Sequence, residues 1–140
     1  MKSLIISSDP DDRNLLKDVL KEFGKVQMVT SGKIAIGLVK KALKTSTYFD
    51  VITLNPDLPD RDGMETLMDI RGAEEEAEFK STKRALIVVT AAQWSKDMAV
   101  TAFSAGCDEY IPKPLDKEKV ARFIVEQLGV KEEETEKPKE

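Results

Sequence analysis

Two clusters of aspartates hold most of the reactive side chains in this chain. Asp57, Asp60 and Asp62 crowd the end of the apolar stretch FDVITLNPDLPDRDG, Phe49 to Gly63. Asp9, Asp11 and Asp12 follow a second apolar stretch near the start, KSLIISSDPDD. A carboxylate at the tip of either stretch could attack a phosphoryl group or hold a hard cation. The tips themselves, however, are neutral: Ser7 and Ser8 in one case, Asn55 in the other. An amide is a poor nucleophile and a weak cation ligand. The chain contains no histidine, which removes histidine triads, histidine general bases and histidine metal ligands.

These side chains need elements to position them, and the pattern of those elements is clear. Lys2 to Ser7, Lys25 to Thr30, Asp50 to Asn55, Arg84 to Thr90 and Asp108 to Pro112 are short and rich in β-branched or aromatic residues, as strands are. "ITL" and "LIVV" are nearly unbroken apolar runs, expected where a strand is covered on both faces. Helical spacing lies between them. Leu15, Leu16, Val19, Leu20 and Phe23 share one face; Ile34, Leu38 and Ala42 suggest a second helix. Met64, Leu67, Met68 and Arg71 fit a third, Met98, Ala102 and Ala105 a fourth, and Val120, Phe123, Ile124 and Leu128 a fifth. Strict β–α alternation implies an α/β domain with a parallel sheet and helices on both faces. In such sheets ligands bind beyond the carboxyl ends of the strands. That rule selects Ser7 and Ser8, Asn55 to Asp57, Thr90 to Ala92, and Ile111 to Pro114.

Composition narrows the function class. With 140 residues, 41% hydrophobic and 34% charged, the chain suits one domain with a full core. A net charge of -4 argues against nonspecific nucleic-acid binding. No apolar run approaches the roughly 18 residues of a membrane span, and the start does not read as a signal peptide. One cysteine, Cys107, excludes an internal disulfide and fits a reducing cytoplasm. We expect a cytoplasmic protein with no direct nucleic-acid or membrane contact. Gly72 to Lys83 reads as a polar connector whose acid run is a solvated face. Residues 131–140 lack apolar content and are expected to be a disordered, charged tail or the start of a linker, leaving residues 1–130 as the domain.

At the strand ends the sequence resembles the receiver domain of bacterial two-component response regulators, over about residues 2 to 128. Four motifs carry the resemblance in order: IISSDPDDRNLLKDVLKEFG, DVITLNPDLPDRDGMETL, LIVVTAA and AGCDEYIPKPL. The resemblance implies a flavodoxin-like (βα)5, doubly wound domain with strand order 2-1-3-4-5. It also implies an acidic pair and an acceptor aspartate that hold Mg²⁺, and a threonine and a lysine that contact the phosphoryl group. Thr90, Tyr110, Lys113 and Pro114 match that pattern. The acidic pair falls on Ser7 and Ser8, and the acceptor on Asn55, so the family's three pocket carboxylates are absent from their positions. Asp9 could shift the register by one. It reads better as an N-cap followed by proline, with Asp11 and Asp12 in the first helical turn.

The chemistry expected of this pocket follows. Mg²⁺ binding should be weak or absent, with no cofactor and no phosphorylation at the usual position. Asp57 is the alternative acceptor, although a surface position is expected for it. Lys113 is expected to bond to Asn55 and a serine hydroxyl, to reach Asp57, or to meet a bound anion, since a buried unpaired lysine is costly. The resemblance allows a cis Lys113–Pro114 bond. Tyr110 is expected to be half-buried, Trp94 to pack at the start of the fourth helix or to act as a lid, and Cys107 to be a packing residue.

The resulting expectation is a non-enzymatic, bacterial pseudo-receiver in signal transduction, acting by protein–protein interaction. Its partner would be a histidine kinase or an output protein, bound on the fourth helix, fifth strand and fifth helix, including Phe103, Tyr110 and Lys117. Homodimerisation stays open. One alternative is a phosphorelay receiver using Asp57. Another, disfavoured by the lack of a Gly-rich loop or catalytic dyad, is a small-molecule or anion-binding enzyme on the same fold.

Overall fold

A computed structural model describes residues 1–45, 47–77 and 84–129. The order is β1 (Lys2–Ile6), α1 (Pro10–Leu20), β2 (Lys25–Val29), α2 (Gly32–Lys44), β3 (Val51–Leu54), α3 (Gly63–Glu76), β4 (Leu86–Ala91), α4 (Lys96–Ala105), β5 (Glu109–Pro112) and α5 (Lys117–Leu128). The five strands pair in parallel in the order β2-β1-β3-β4-β5. This is the doubly wound architecture expected from the sequence. The strands agree with the sequence reading to within two residues at each end. Among the described residues no helix is long and apolar enough to cross a membrane.

Alternation along the strands divides the core into two layers. Leu4, Ile6, Ile52, Leu54, Ile87 and Val89 pack against α2, α3 and α4. Ile5, Val51 and Leu86 face the other way, onto Leu16, Leu20, Val120 and Ile124 of α1 and α5. Residues of one strand serve both layers because successive side chains point to opposite faces. Full burial of each large aliphatic residue contributes roughly 2 kcal/mol. The central strands β3 and β4 are buried throughout, which is why they read as unbroken apolar runs.

The sequence reading placed three helix faces imperfectly. Ile34 is 56% exposed and Met68 50%, and Met98 is also exposed. In α2 the buried stripe is instead Ala35, Ile36, Val39, Ala42 and Leu43. Apolar residues occupy most of Ile34 to Val39, so spacing alone could not choose the face. The acid run of α3 is not wholly solvated either. Glu74 pairs with Arg71 at 2.8 Å and accepts from the Ala85 N–H at 2.8 Å. Positions 78–83 of the connector and the tail at 131–140 lie outside the described residues.

Arg71 braces the end of the sheet away from the candidate pocket. Its guanidinium donates to the carbonyls of Ala85 and Gly106, each at 2.8 Å, and to Asp108 Oδ2 at 2.9 Å. Asp108 Oδ2 also accepts from the Ile87 N–H at 2.9 Å. One side chain therefore ties α3 to the entry of β4 and to the α4–β5 turn. Gly106 makes room for it: φ is +118°, and a Cβ there would lie 2.8 Å from Arg71 Cγ. Arg71→Met leaves two carboxylates and two carbonyls without their partner. Urea unfolding should show a loss of about 3–5 kcal/mol. A loss below about 1 kcal/mol would reduce the network to the value of a surface ion pair.

The loop after β3 is fixed from a neighbouring helix. Asp60 accepts from the Gly32 and Lys33 N–H groups at 2.9 and 3.0 Å and from Ser31 Oγ at 2.9 Å, capping α2 from outside. Those backbone donors hold its carboxyl near a pKa of about 2, against an ordinary 3.8. A carboxyl depressed on folding stabilises above its unfolded value and loses that contribution as pH falls. Thermal melts of the wild type should therefore lose stability between the ordinary value and about 2. Asp60→Asn should flatten that part of the profile, and an unchanged profile would remove Asp60 from the account.

Candidate functional site

The candidate pocket lies where β1, β3, β4 and β5 end. Its floor is made by the turns that follow the strands. After β1 the chain must pass from strand to helix, and its hydrogen bonds are satisfied locally. Ser7 is buried, and its Oγ accepts from the Asp9 N–H at 3.0 Å. Asp9 is the N-cap of α1, extended in backbone and accepting from the Asp11 N–H at 2.9 Å, with Pro10 opening the helix. Arg13 donates to the Ser7 carbonyl at 2.9 Å. The N-cap expected from the sequence is present.

Asp12 lies in the first turn of α1, as expected, but it also has a pocket role that the sequence reading does not give it. It is 4% exposed, and its Oδ2 faces the strand ends. There it accepts from Asn55 Nδ2 at 2.9 Å and from Lys113 Nζ at 3.1 Å. Lys113 Nζ also meets Asp9 Oδ2 at 2.7 Å. Thus Lys113 bonds neither to Asn55 with a serine hydroxyl nor to Asp57, as the sequence suggested; Asp9 and Asp12 neutralise it. The pocket lacks carboxylates at the strand ends but gains two from the start of α1. A signal for this was available: Asp12, Leu16, Val19, Leu20 and Phe23 fall on one helical stripe, so position 12 had to face inward.

Electrostatics follow from these contacts. Burial acts to lower the Lys113 pKa, but the hydrogen bonds and charges of Asp9 and Asp12 outweigh it and hold the ammonium above its ordinary value. Lys113, then the backbone N–H of Asp11, holds the Asp9 carboxyl below its own. Lys113 and Asp9 are thus charged together. The Lys113 backbone N–H donates to the Ala91 carbonyl at 2.8 Å, and the Lys113–Pro114 peptide is cis.

Asn55 is 6% exposed and engaged at both ends. Its Nδ2 donates to Asp12, while its Oδ1 accepts from the Asp57 N–H at 3.0 Å. Asp57 is exposed; its carbonyl accepts from Ser8 Oγ at 3.2 Å, and no partner is found for its carboxylate among the described residues. The three loop aspartates therefore have different roles. Asp57 borders the cleft, Asp60 caps α2, and Asp62 caps α3 by accepting from the Glu65 N–H at 3.1 Å. Gly63 is required for this path because a Cβ there would overlap the Pro56 backbone.

On the β4 side, Thr90 is 1% exposed, and its hydroxyl has no hydrogen-bond partner among the described residues. Tyr110 is more buried than expected, at 5%. Its hydroxyl donates to the Gln93 carbonyl at 3.2 Å, and its ring meets Trp94 edge-on at 5.7 Å between centroids. Trp94 lies ahead of α4 and is 62% exposed, rather than packed into the helix start. Lys117 reaches Asp18 of α1 at 3.2 Å. Cys107 is buried; desolvation, then the Asp108 charge, pushes its thiol up to about 11.

Two clefts share Asp9 and Lys113. One, of about 490 Å³, opens toward Ser8, Asn55, Asp57 and Tyr110; the other, of about 450 Å³, opens toward Asp12 and Leu15. The donor set does not fit a Mg²⁺ site. Asn55 Oδ1 and the Asp57 carbonyl are turned to internal donors, and Asp9 and Asp12 are committed to an ammonium. Mg²⁺ requires near-octahedral oxygen ligands, preferably anionic, and the Thr90 hydroxyl, left without a partner among the described residues, does not supply them.

A five-stranded, doubly wound parallel sheet in the order 2-1-3-4-5 defines the flavodoxin-like class. Comparison with known proteins narrows this. Residues 4–124 match the response regulator receiver domain, and the chain belongs to that family. It is 30% identical over 124 residues to the hybrid signal transduction histidine kinase L of Dictyostelium discoideum, covering 88% of this chain and 7% of that protein. It is 28% identical to the transcriptional regulatory protein CpxR of Klebsiella pneumoniae, covering 87% of this chain and 47% of the other. The chain thus spans less than half the length of either relative. A two-component response regulator from Clostridium difficile superposes with a TM-score of 0.75 at 27% identity, covering 92% of this chain and 96% of that one. Relatives from both a slime mould and bacteria mean that family membership does not carry the expected bacterial origin.

Placing a carboxylate at position 55 tests this geometry. Asn55→Asp replaces a donor 2.9 Å from Asp12 with a like charge. One of the two carboxyls should then have a raised pKa. The cost at neutral pH should be on the order of 1–3 kcal/mol. A carboxyl raised on folding destabilises at high pH, so the deficit should vanish as pH falls below about 4. Adding Asp12→Asn should restore stability near neutrality. A stable Asn55→Asp single variant with an unshifted pH profile would contradict the Asn55–Asp12 bond.

Proposed function

We propose that this receiver domain, residues 1–130, is a pseudo-receiver: a signalling module that acts by binding a protein partner and is not phosphorylated at the usual position. The observation that carries this reading is the state of Asn55. The strand-end group at the receiver's acceptor position is a buried amide with both polar ends in use, one on a carboxylate. It has no nucleophilic oxygen to offer a phosphoryl group. Ser7, at one position of the acidic pair, accepts from the Asp9 N–H within its own turn, and Ser8, at the other, donates to the Asp57 carbonyl of the β3–α3 loop.

The partner would be a histidine kinase or an output protein in a cytoplasmic pathway. The proposed surface is the α4–β5–α5 face, where Phe103 is 48% exposed and Val100 57%. Tyr110 is buried and contributes through Trp94 and Gln93 rather than directly. The exposed Asp57, beside the cleft, supports a second reading in which it serves as an unusual acceptor.

The two readings separate by incubation with acetyl phosphate and Mg²⁺, followed by intact-mass and peptide mass spectrometry. We expect no stable phosphoryl adduct on the wild type. An adduct that disappears in Asp57→Ala would establish the second reading; one that persists there would place the acceptor elsewhere and sink both.

A further inference from the structure

We infer that Lys113 is the resident cation of this pocket. Its ammonium, clamped by Asp9 and Asp12, closes the site internally and leaves no place for a divalent metal. The inference rests on the reading of a pocket without phosphotransfer and gives the reason for its state.

Three observations converge on the ammonium. Nζ lies 2.7 Å from Asp9 Oδ2 and 3.1 Å from Asp12 Oδ2, so one cation bridges carboxylates from the cap and the first turn of α1. The second carboxylate is nearly inaccessible, at 5% side-chain exposure, and would be costly to leave unpaired. The same Asp12 oxygen accepts from Asn55, so the neutral residue at the end of β3 belongs to the closure. Asn55 can donate to Asp12 only because it is an amide; an ionised aspartate would repel it. The Asp12 carboxylate and the amide at position 55 are therefore chemically complementary.

The arrangement ties α1 to the β5–α5 connection without a ligand. Asp9 and Asp12 belong to the start of α1, while Lys113 follows β5 and is hooked to β4 through the Ala91 carbonyl. Position and charge are thus set by the chain itself, so the conformation of this end of the domain does not wait on a metal or a phosphoryl group.

Removal of the lysine should turn the closure into a cation site. Asp9 and Asp12 would present two carboxylate oxygens to the same point, and Mn²⁺ accepts oxygen ligands readily. In calorimetric titrations, Lys113→Met should bind Mn²⁺ about tenfold or more tighter than the wild type, and Lys113→Met with Asp12→Asn should lose the gain. Equal Mn²⁺ affinity in wild type and Lys113→Met would overturn the inference. Should Lys113→Met fail to fold, amine acetylation read by mass spectrometry provides the second test. Asp12→Asn, checked by circular dichroism, should accelerate modification of Lys113 several-fold; an unchanged rate would overturn the closure. Phosphorylation of the wild type would defeat the proposed function whatever the cation result. An unphosphorylated wild type that binds Mn²⁺ as tightly as Lys113→Met would defeat the closure alone.

Discussion

A lysine ammonium between two carboxylates organises the carboxyl end of this sheet. Bringing Lys113 to the strand ends without a counter-charge would cost several kcal/mol. Asp9 and Asp12 remove that cost, and they can do so only because α1 starts where it does. The position of that start depends on Ser7 and Pro10 turning the chain immediately after β1. The orientation of Asn55 follows in turn, since the Asp12 oxygen is the acceptor that its amide meets. The β3–α3 loop begins from the other side of the same amide, through the Asp57 N–H.

The sheet is secured differently at its two ends. At the carboxyl end the pairing is between the lysine that follows β5 and carboxylates from the cap and first turn of α1. At the amino end Arg71, from the middle of a helix, collects two carbonyls and two carboxylates. A guanidinium suits that task because its planar fork satisfies several acceptors at once. An ammonium suits the pocket because a compact charge can be shared by two oxygens. In both places burial is tolerable because the cation is paired with carboxylates that are further hydrogen-bonded.

Much of the architecture was legible in the sequence because parallel strands covered on both sides carry unbroken apolar runs. Helix registers were less legible. In α2, apolar residues at Ile34, Ala35, Ile36, Leu38 and Val39 fit several faces, and only packing against the sheet selected one. The neutral residues Ser7, Ser8 and Asn55 were found from their places after strands. The carboxylates that pair with Lys113 were not, because Asp9, Pro10, Asp11 and Asp12 satisfy every rule for a helix start. That local explanation was correct for Asp9 and concealed its second role. Asp12 needed a different argument: a carboxylate on the same stripe as Leu16 and Phe23 must find a partner inside. Trp94 was misjudged for a simpler reason, since large aromatics usually seek burial and this one makes do with the edge of Tyr110.

That edge contact gives the domain a built-in optical probe. The chain has one tryptophan, so its tryptophan emission comes from a single indole, exposed on the segment between β4 and α4. The indole touches the ring whose hydroxyl is bonded to the backbone of that segment. A partner that covers the α4 face, or a rearrangement that frees Tyr110, would change the polarity around one fluorophore. The domain can therefore be followed without a label, at the edge of the surface through which it is proposed to signal.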